Sequence, residues 1–244
     1  MRRPPKMNQS ATLYVVATPI GNLDDITLRA LEVLRQTPIV ACEDTRQTLK
    51  LLRRFNLPEK ELISYHAFNE RTATEKILAH LEHGRDVALV SDAGTPAISD
   101  PGFYLVRAAF EHGVRVVPIA GVSALTAAIS VCPLPIHRFY FEGFLPHKKG
   151  RQSRLKFLAS LSLEAIIFYE SPYRLLKLLE ELHTYFGDVQ AMIARELTKV
   201  HEEILVGTLG ELRQKCAAKK ILGEFVVILS PMSKPTEPSN PENE

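Results

Sequence analysis

The sequence predicts an α/β protein of two domains. Short apolar segments rich in β-branched residues alternate with segments of helical period along most of the 244 residues. This alternation is typical of a parallel sheet with helices on both faces. Pro133 and Pro135 interrupt the pattern near the middle of the chain. We therefore expect an N-terminal α/β domain over residues 12–133 and a C-terminal α/β domain over residues 138–232.

In the N-terminal domain, apolar runs predict strands at residues 12–17, 39–42, 87–90 and 114–119. Asp24 and Asp25 are expected to cap a first helix whose apolar positions run from Ile26 to Leu34. Further helices are predicted at about residues 45–55, 70–82, 102–112 and 122–131.

In the C-terminal domain, strands are predicted at residues 139–142, 165–169, 190–194, 203–206 and 225–229. Helices are predicted at about residues 152–161, 173–186 and 209–218. We expect these strands to form a mixed sheet. The two ends of the chain lie outside both domains, and we expect a flexible N-terminus at residues 1–11 and a disordered tail at residues 233–244, where Pro, Ser, Asn and Glu predominate.

Composition limits the classes of function. No apolar run approaches the roughly 20 residues that cross a bilayer, and no secretory signal follows the basic start, so we expect a cytoplasmic protein without a membrane partner. Cys42, Cys132 and Cys216 are too far apart in sequence to suggest a disulfide framework or a zinc site, and no metal is expected. The formal net charge is only +2, so nucleic-acid binding would need a local basic patch.

Three loops rich in glycine, proline and small residues follow predicted strands, at residues 18–22, 91–102 and 120–124. Ligands of α/β sheets bind at the carboxyl ends of the strands. Glycine lets a ligand touch the backbone, and small residues such as Ser123 and Ala124 leave room for a nucleoside. No dinucleotide fingerprint and no P-loop occurs, which favours a ligand with little phosphate, although any one loop can be an ordinary turn.

Acidic residues and arginines also follow predicted strands. In residues 43–46, Glu43 and Arg46 either contribute to a site or pair with each other while Asp44 caps the next helix. Residues 66–70 place a His, an Asn and a Glu at a strand-to-helix turn, where the Asn can be an ordinary cap. Residues 170–174 and 195–199 each combine a carboxylate with an arginine, as structural salt bridges or as walls of a polar cleft.

One segment, from His147 to Lys156, is strongly basic and contains no carboxylate. On a helix, Leu155 and Leu158 would face the core while Arg151, Arg154 and Lys156 would point outward. A solvated amphipathic helix explains this pattern, and so does phosphate binding. The candidate RNA-binding residues are Lys148, Lys149, Arg151, Arg154 and Lys156.

Seven motifs occur in a fixed order over roughly residues 12–230. They are T-P-I-G-N-L-D-D-I at 18–26, E-D-T-R at 43–46, S-D-A-G-T-P-A-I-S-D-P-G at 91–102, G-V-S-A at 121–124, G-F-L-P at 143–146, E-S-P-Y-R at 170–174 and R-E-L-T-K at 195–199. Together they resemble the ribosomal RNA small subunit methyltransferase I family of the tetrapyrrole methylase superfamily. One departure is the segment H-A-F-N-E at 66–70, where the family pattern is H-E-N-E.

The resemblance implies two α/β domains of the tetrapyrrole methylase type, a class III methyltransferase with S-adenosylmethionine in the interdomain cleft, and a homodimer. It implies 16S rRNA in the small ribosomal subunit as the partner, and the ribose 2′-hydroxyl of a cytidine in the decoding region as the methyl acceptor. The cofactor-binding residues that the motifs imply are Pro19, Gly94, Thr95, Ile98, Ser123, Ala124, Tyr169, Glu170, Arg195 and Glu196.

Methyl transfer to a ribose hydroxyl requires alignment of the oxygen with the donor carbon, together with a base or a cation that assists a weakly acidic group. The candidate catalytic residues are Lys199, Arg195, Glu170, Glu43 and Arg46, and the sequence leaves open which of them acts. Two alternatives use the same scaffold: a small-molecule methylase acting on a tetrapyrrole precursor, and a non-catalytic RNA-binding assembly module.

Overall fold

A computed structural model describes residues 11–232, which form two units that divide between Ser123 and Ala124. The expected N-terminal segment, apart from Ala11, and the expected tail at 233–244 lie outside the described residues. The division falls about ten residues before the expected linker. The reason is that helix α5 (Ala124–Ser130) buries Ala128 against strands of the second unit, although the sequence assigns this helix to the first domain.

The first unit contains the expected parallel sheet, with five strands instead of the four predicted. Its strands are β1 (Thr12–Val16), β2 (Ile39–Cys42), β3 (Glu61–Ser64), β4 (Val87–Val90) and β5 (Arg115–Ile119), in the spatial order β3-β2-β4-β1-β5. All four residues of β2 and of β4 are buried, which matches the continuous apolar runs of strands covered on both faces. Since the strands are parallel, their five carboxyl ends meet at one edge of the sheet.

Strand β3 is absent from the strands that the sequence predicts. It lies at the edge of the sheet and pairs only with β2 among the described strands. Its terminal residues, Glu61 and Ser64, are exposed. A short edge strand with polar ends lacks the apolar run that marks the central strands, so its sequence carries little signal.

Helices cover both faces of this sheet. They are α1 (Leu28–Gln36), α2 (Thr45–Arg54), α3 (Glu70–Glu82) and α4 (Phe103–Glu111). Leu34 of α1 packs with Val16 on one face, and Ile77 of α3 packs with Leu13 on the other. Alternate residues of β1 therefore serve two separate cores.

The first helix begins later than expected. Asp24 and Asp25 lie in a short 3-10 turn, Leu23–Asp25, in which the side chain of Asn22 accepts a hydrogen bond from the amide of Asp24. The N-cap of α1 is Thr27, whose side chain accepts a hydrogen bond of 3.0 Å from the amide of Ala30. The expectation that the two aspartates cap this helix is therefore wrong, because a threonine three residues before Ala30 satisfies that amide.

The second unit contains the expected mixed sheet. Its elements are β6 (Phe139–Gly143), α6 (Arg151–Ala159), β7 (Ala165–Glu170), α7 (Leu175–Phe186), β8 (Gln190–Arg195), β9 (Glu203–Thr208), α8 (Leu209–Ala217) and β10 (Phe225–Ser230). The strands have the spatial order β6-β7-β10-β8-β9. Only β6 and β7 are parallel neighbours, and the other described pairs are antiparallel. Helices α6 to α8 cover one face of the sheet, and α5 covers the other.

Strands β7 and β8 end at the same edge of the second sheet. Phe225 at the start of β10 pairs with Glu170 on one side and with Arg195 on the other. The loops that follow β6, β7 and β8 therefore leave the sheet on the same side. Within residues 11–232, no helix has the length and apolar character needed to span a membrane.

Candidate functional site

Three strand-end loops of the first unit are joined by hydrogen bonds. The amide of Thr18, after β1, donates to the carbonyl of Gly94, after β4, and the amide of Gly94 donates back to Thr18, both at 2.9 Å. The hydroxyl of Thr95 donates to the carbonyl of Val122, after β5, at 3.0 Å. The loops therefore form one connected surface at the carboxyl edge of the sheet, which is where α/β sheets bind ligands.

Glycine is required at the centre of this surface. Gly94 has φ +83°, and a Cβ atom there would lie 3.4 Å from Cγ2 of Ile20 and 3.9 Å from the carbonyl oxygen of Val122. The absent side chain leaves backbone open to a ligand. Five of the expected cofactor-binding residues lie in these joined loops: Pro19, Gly94, Thr95, Ile98 and Ser123. Ala124 is the first residue of α5 and belongs to the second unit.

The loop after β4 also contains two strained residues that the sequence analysis does not single out. Ala97 and Ser99 have φ values of +66° and +65°, in the left-handed region. Such conformations are costly for residues with a side chain and cluster at ligand-binding loops. Gly102 fits against this strained turn because a Cβ atom there would lie only 3.0 Å from Cβ of Ala97. Alanine and serine give no sequence signal for this geometry.

An acidic group lies where the loops after β2 and β4 meet. The amide of Asp44 donates a hydrogen bond of 2.9 Å to Oδ1 of Asp92. Asp44 caps α2, as expected, and accepts from the amide of Arg46 at 2.8 Å. The partner of the Arg46 guanidinium is Asp44, at 2.7 Å, rather than Glu43. Hydrogen bonds from Arg46 hold the pKa of Asp44 at about 2.

Glu43 is half-buried beside this group. Burial raises the pKa of its carboxyl, the negative charge of Asp92 raises it further, and nearby His66 partly opposes the shift. A carboxylate with a raised pKa is a better proton acceptor than an ordinary one. Among the candidate catalytic residues, Glu43 therefore has the electrostatic environment that suits a base.

Residues 65–70 hold the loops after β3 and β4 in place. The hydroxyl of Tyr65 donates to Oε1 of Glu70 at 3.3 Å and accepts from the amide of Leu105 at 3.2 Å. The same Glu70 oxygen accepts from the amide of Gly102 at 3.2 Å. Asn69 accepts from the amide of His66 at 2.8 Å. These polar residues therefore support the loop surface.

In the second unit, Glu170 is fully buried. Its Oε1 lies 2.7 Å from Nη2 of Arg174 and accepts from the amide of Ser171 at 2.8 Å. Of the two interpretations of residues 170–174, the structural salt bridge is therefore present. A carboxylate with no exposed side-chain surface and an arginine partner is poorly placed to take a proton from a substrate. This environment argues against the expected catalytic role of Glu170.

The turn after β8 is strained and ion-paired. Glu196 and Thr198 have φ values of +48° and +66°. Nζ of Lys199 lies 2.8 Å from Glu196 and 2.9 Å from Glu224. Arg195 instead donates to the carbonyl of Leu222 at 2.8 Å and lies 3.4 Å from Glu203.

The pKa of Lys199 rises in this turn. Burial alone would lower it, but hydrogen bonds to the carboxylates of Glu196 and Glu224 outweigh burial. Burial likewise opposes the shift at Glu196, whose pKa is lowered by the hydrogen bond from Lys199. Lys199 therefore stays protonated near neutral pH and suits the role of a cation rather than that of a base.

Two of the candidate RNA-binding residues form ion pairs within the protein. Arg151 is buried and lies 2.7 Å from Glu181. Its expected outward orientation is therefore wrong, because a carboxylate 30 residues away holds it inside. Arg154 is partly exposed and forms a two-pronged contact with Glu142, from 2.6 to 3.0 Å, which raises the pKa of Arg154. Lys148, Lys149 and Lys156 are exposed, as expected.

Tyr169 packs within the second unit. Its hydroxyl accepts a hydrogen bond of 3.0 Å from the amide of Leu125 on α5. Its ring contacts those of Phe141 and Phe144 edge-on, with centroids 5.0 and 5.6 Å apart. Tyr169 thus connects α5 and the loop after β6 to strand β7.

Comparison with known proteins identifies a family that fits this fold. The tetrapyrrole (corrin/porphyrin) methylases match residues 12–213. A ribosomal RNA small subunit methyltransferase I of Xylella fastidiosa is 49% identical over 227 residues, which cover 91% of this chain and 82% of the relative. A protein of the same name from Thermotoga maritima is 44% identical over 218 residues, or 89% of this chain and 97% of the relative.

Solved structures of methyltransferases share the fold. The methyltransferase CobJ superposes with a TM-score of 0.68 at 21% identity, covering 91% of this chain and 94% of that chain. A uroporphyrin-III C-methyltransferase of Thermus thermophilus, complexed with S-adenyl homocysteine, has a TM-score of 0.64 at 20% identity and covers 90% of this chain and 97% of that one. At these identities the likeness establishes the fold alone. From the family match and the relatives together, the chain belongs to the tetrapyrrole methylases and, among them, to the ribosomal RNA small subunit methyltransferase I family.

Proposed function

We propose that this protein is an rRNA methyltransferase that transfers a methyl group from S-adenosylmethionine to the ribose 2′-oxygen of cytidine 1402 of 16S rRNA. It acts as a homodimer on the small ribosomal subunit, in the cytoplasm. The observation that carries the proposal is the 49% identity, over 91% of the chain, to a ribosomal RNA small subunit methyltransferase I.

The joined loops of the first unit fit the methyl donor. Gly94 carries no side chain and Ser123 is small and buried, so these positions leave room for a nucleoside. Bound S-adenosylmethionine supplies an electrophilic methyl group on a sulfonium. The polar atoms near Gly94 include backbone groups and the hydroxyls of Thr18, Ser91 and Thr95, which suits a ligand with little phosphate.

The acceptor hydroxyl needs a group that takes its proton. In this proposal Glu43 accepts the proton of the ribose hydroxyl as the oxygen takes the methyl carbon from the sulfonium, whose carbon–sulfur bond breaks to leave a neutral thioether. The raised pKa of Glu43 supports this role. Lys199 of the second unit, held protonated by Glu196 and Glu224, supplies a positive charge to the RNA backbone.

Methyl labelling tests the activity. The purified protein is incubated with methyl-tritiated S-adenosylmethionine and small subunits isolated from cells that lack this modification. The 16S rRNA is then digested to nucleosides. We expect label in 2′-O-methylcytidine, and an absence of label from ribose would overturn the proposal. Sedimentation equilibrium of the same sample tests the dimer.

Matched variants test the proposed base. Glu43→Gln should lower kcat by about 100-fold, the lower range for loss of a general base, and leave donor affinity unchanged by calorimetry. Glu59→Gln, at an exposed site outside the loop surface, is the control and should keep full activity.

Two other outcomes would favour the alternative functions. Label in a porphyrinoid but not in RNA would indicate the tetrapyrrole-precursor methylase. No donor binding would indicate the assembly module.

A further inference from the structure

The loops after β6 and β7 carry exposed aromatic and basic side chains at one edge of the second sheet. We propose that they form a binding surface for single-stranded RNA, on which Phe144 and Tyr173 stack against bases while Lys148 and Lys149 contact phosphates. This inference rests on the proposed function, since it names the part of the protein that holds the RNA substrate.

The fold places the two loops side by side. β6 and β7 are parallel neighbours, with Phe139 paired to Ala165 and Gly143 paired to Phe168. Both chains therefore leave the sheet at the same edge. Nη1 of Arg174, after β7, donates a hydrogen bond of 3.3 Å to the carbonyl of Leu145, after β6. The two loops are thus in direct contact.

The aromatic rings on these loops face solvent. Tyr173 is 95% exposed and Phe144 is 51% exposed. The inner edge of Phe144 rests on the ring of Tyr169, 5.6 Å between centroids, which limits its motion. Exposed, supported aromatic rings beside positive charge are the usual platform for unpaired bases, because every base has a stackable face.

Fewer positive charges are available on this surface than the sequence indicates, and they lie on the loop before α6 rather than on α6 itself. Within the described part of the chain, Arg151 and Arg154 are neutralised by Glu181 and Glu142. Lys148 and Lys149 are exposed on the loop itself, between Phe144 and α6. The available charges and the exposed rings therefore lie on the same two loops, as single-stranded RNA requires.

A buried ionic network holds this surface in shape. Arg151 donates to the carbonyl of Pro146 at 3.2 Å while its guanidinium is fixed by Glu181 at 2.7 Å. Leu145, between Phe144 and Pro146, is 2% exposed and packs in the core. Arg151 and Arg174 are thus positioning residues. A surface that is ordered before binding loses less entropy when RNA binds.

The test measures binding without catalysis. Fluorescence anisotropy follows a labelled 12-nucleotide single-stranded RNA bound by the full-length protein over a range of salt concentrations. Tyr173→Ala and Phe144→Ala should each weaken binding about tenfold, the lower range for loss of one stacked base, without changing the salt dependence. Tyr173→Phe should keep wild-type affinity. Phe110→Ala, at an exposed aromatic on α4, is the control and should have no effect.

Substitution of the two lysines should instead change the salt dependence of RNA binding. Lys148→Gln and Lys149→Gln should each reduce the slope of log affinity against log salt by about 0.7. Unchanged affinity in Tyr173→Ala, or no RNA binding by the wild type, would overturn the inference. So would dissociation of a dimer by Tyr173→Ala at constant RNA affinity, which would identify the surface as a contact between copies.

The inference and the proposed function fail in different ways. A protein that methylates small subunits but binds RNA equally well with and without Tyr173 contradicts only the stacking surface. A protein whose RNA affinity depends on Tyr173 but that leaves 16S rRNA unlabelled contradicts only the methyltransferase assignment. Unchanged donor affinity and circular dichroism in each variant establish that the fold is intact.

Discussion

Thr18 and Gly94 exchange two backbone hydrogen bonds of 2.9 Å, which join the loop after β1 to the loop after β4 like a single rung of an antiparallel ladder. The hydroxyl of Thr18 adds a third contact, donating at 3.0 Å to the carbonyl of Ser91. The loops that we propose to hold the methyl donor therefore have fixed positions relative to the sheet.

Gly94→Ala should abolish most donor binding. The substitution places a Cβ atom at φ +83° against Ile20, and the left-handed conformation costs about 1–2 kcal/mol. Gly113→Ala is a matched control, because Gly113 also has a positive φ, +69°, but no atom lies within 4 Å of the added Cβ. Both variants should lose similar stability in urea unfolding. Only Gly94→Ala should lose heat of binding in calorimetry, and equal losses would contradict the donor site.

The pH dependence of activity should report Glu43. Burial and the charge of Asp92 raise the pKa of Glu43, so the acid limb of kcat/KM should lie above the range of an ordinary glutamate. Asp92→Asn removes that charge and should move the limb to lower pH. Asp24→Asn, on the exposed 3-10 turn, should leave it in place. If the acid limb lies at the same pH in Asp92→Asn as in the wild type, Glu43 is excluded as the base.

The same raised pKa predicts an effect on stability. A carboxyl group whose pKa is higher in the folded than in the unfolded protein destabilises the fold once the pH exceeds its unfolded value. Glu43→Gln should therefore leave Tm unchanged or raise it at pH 7, and the difference from wild type should vanish at low pH. A lower Tm at pH 7 would show that the ionised carboxylate is stabilising.

The ion pairs of Lys199 should stabilise the protein over a wide pH window. The lowered pKa of Glu196 contributes stability above the unfolded pKa of glutamate, and this is lost as pH falls through the folded value. The raised pKa of Lys199 contributes below its unfolded pKa and is lost as pH rises through the folded one. In thermal unfolding, Lys199→Met should therefore be less stable than the wild type between these two pH limits. Identical profiles would show that the pair contributes nothing.

Arg151 and Lys156 should respond differently to the same change. Arg151→Met leaves the mostly buried carboxylate of Glu181 without its nearest cationic partner and should cost about 3–5 kcal/mol in urea unfolding. Lys156→Met, five residues later on the exposed side of α6, should stay within about 0.5 kcal/mol of wild type. Similar small effects would show that Arg151 is not part of a structural network.

The sequence by itself determined the fold class, the strands of both sheets except β3, and the family. Apolar runs and helical periods are local properties of the chain, so the sequence alone shows them, and a set of ordered motifs can be recognised without coordinates. β3 is missing from the prediction because an edge strand with exposed ends needs no apolar run. The loops of the proposed donor site could likewise be recognised in the sequence, because Gly94 and its neighbours follow predicted strands.

Only the tertiary structure decided which charged side chains are available to bind a ligand or to act in catalysis. Arg151 and Arg154 look uncompensated in sequence because their carboxylate partners, Glu181 and Glu142, lie 30 and 12 residues away. The same holds for the burial of Glu170 and for the raised pKa of Glu43, which depends on Asp92 across the sheet edge. Charge, burial and pKa are set by neighbours in space, and a chain read in order shows only neighbours in sequence.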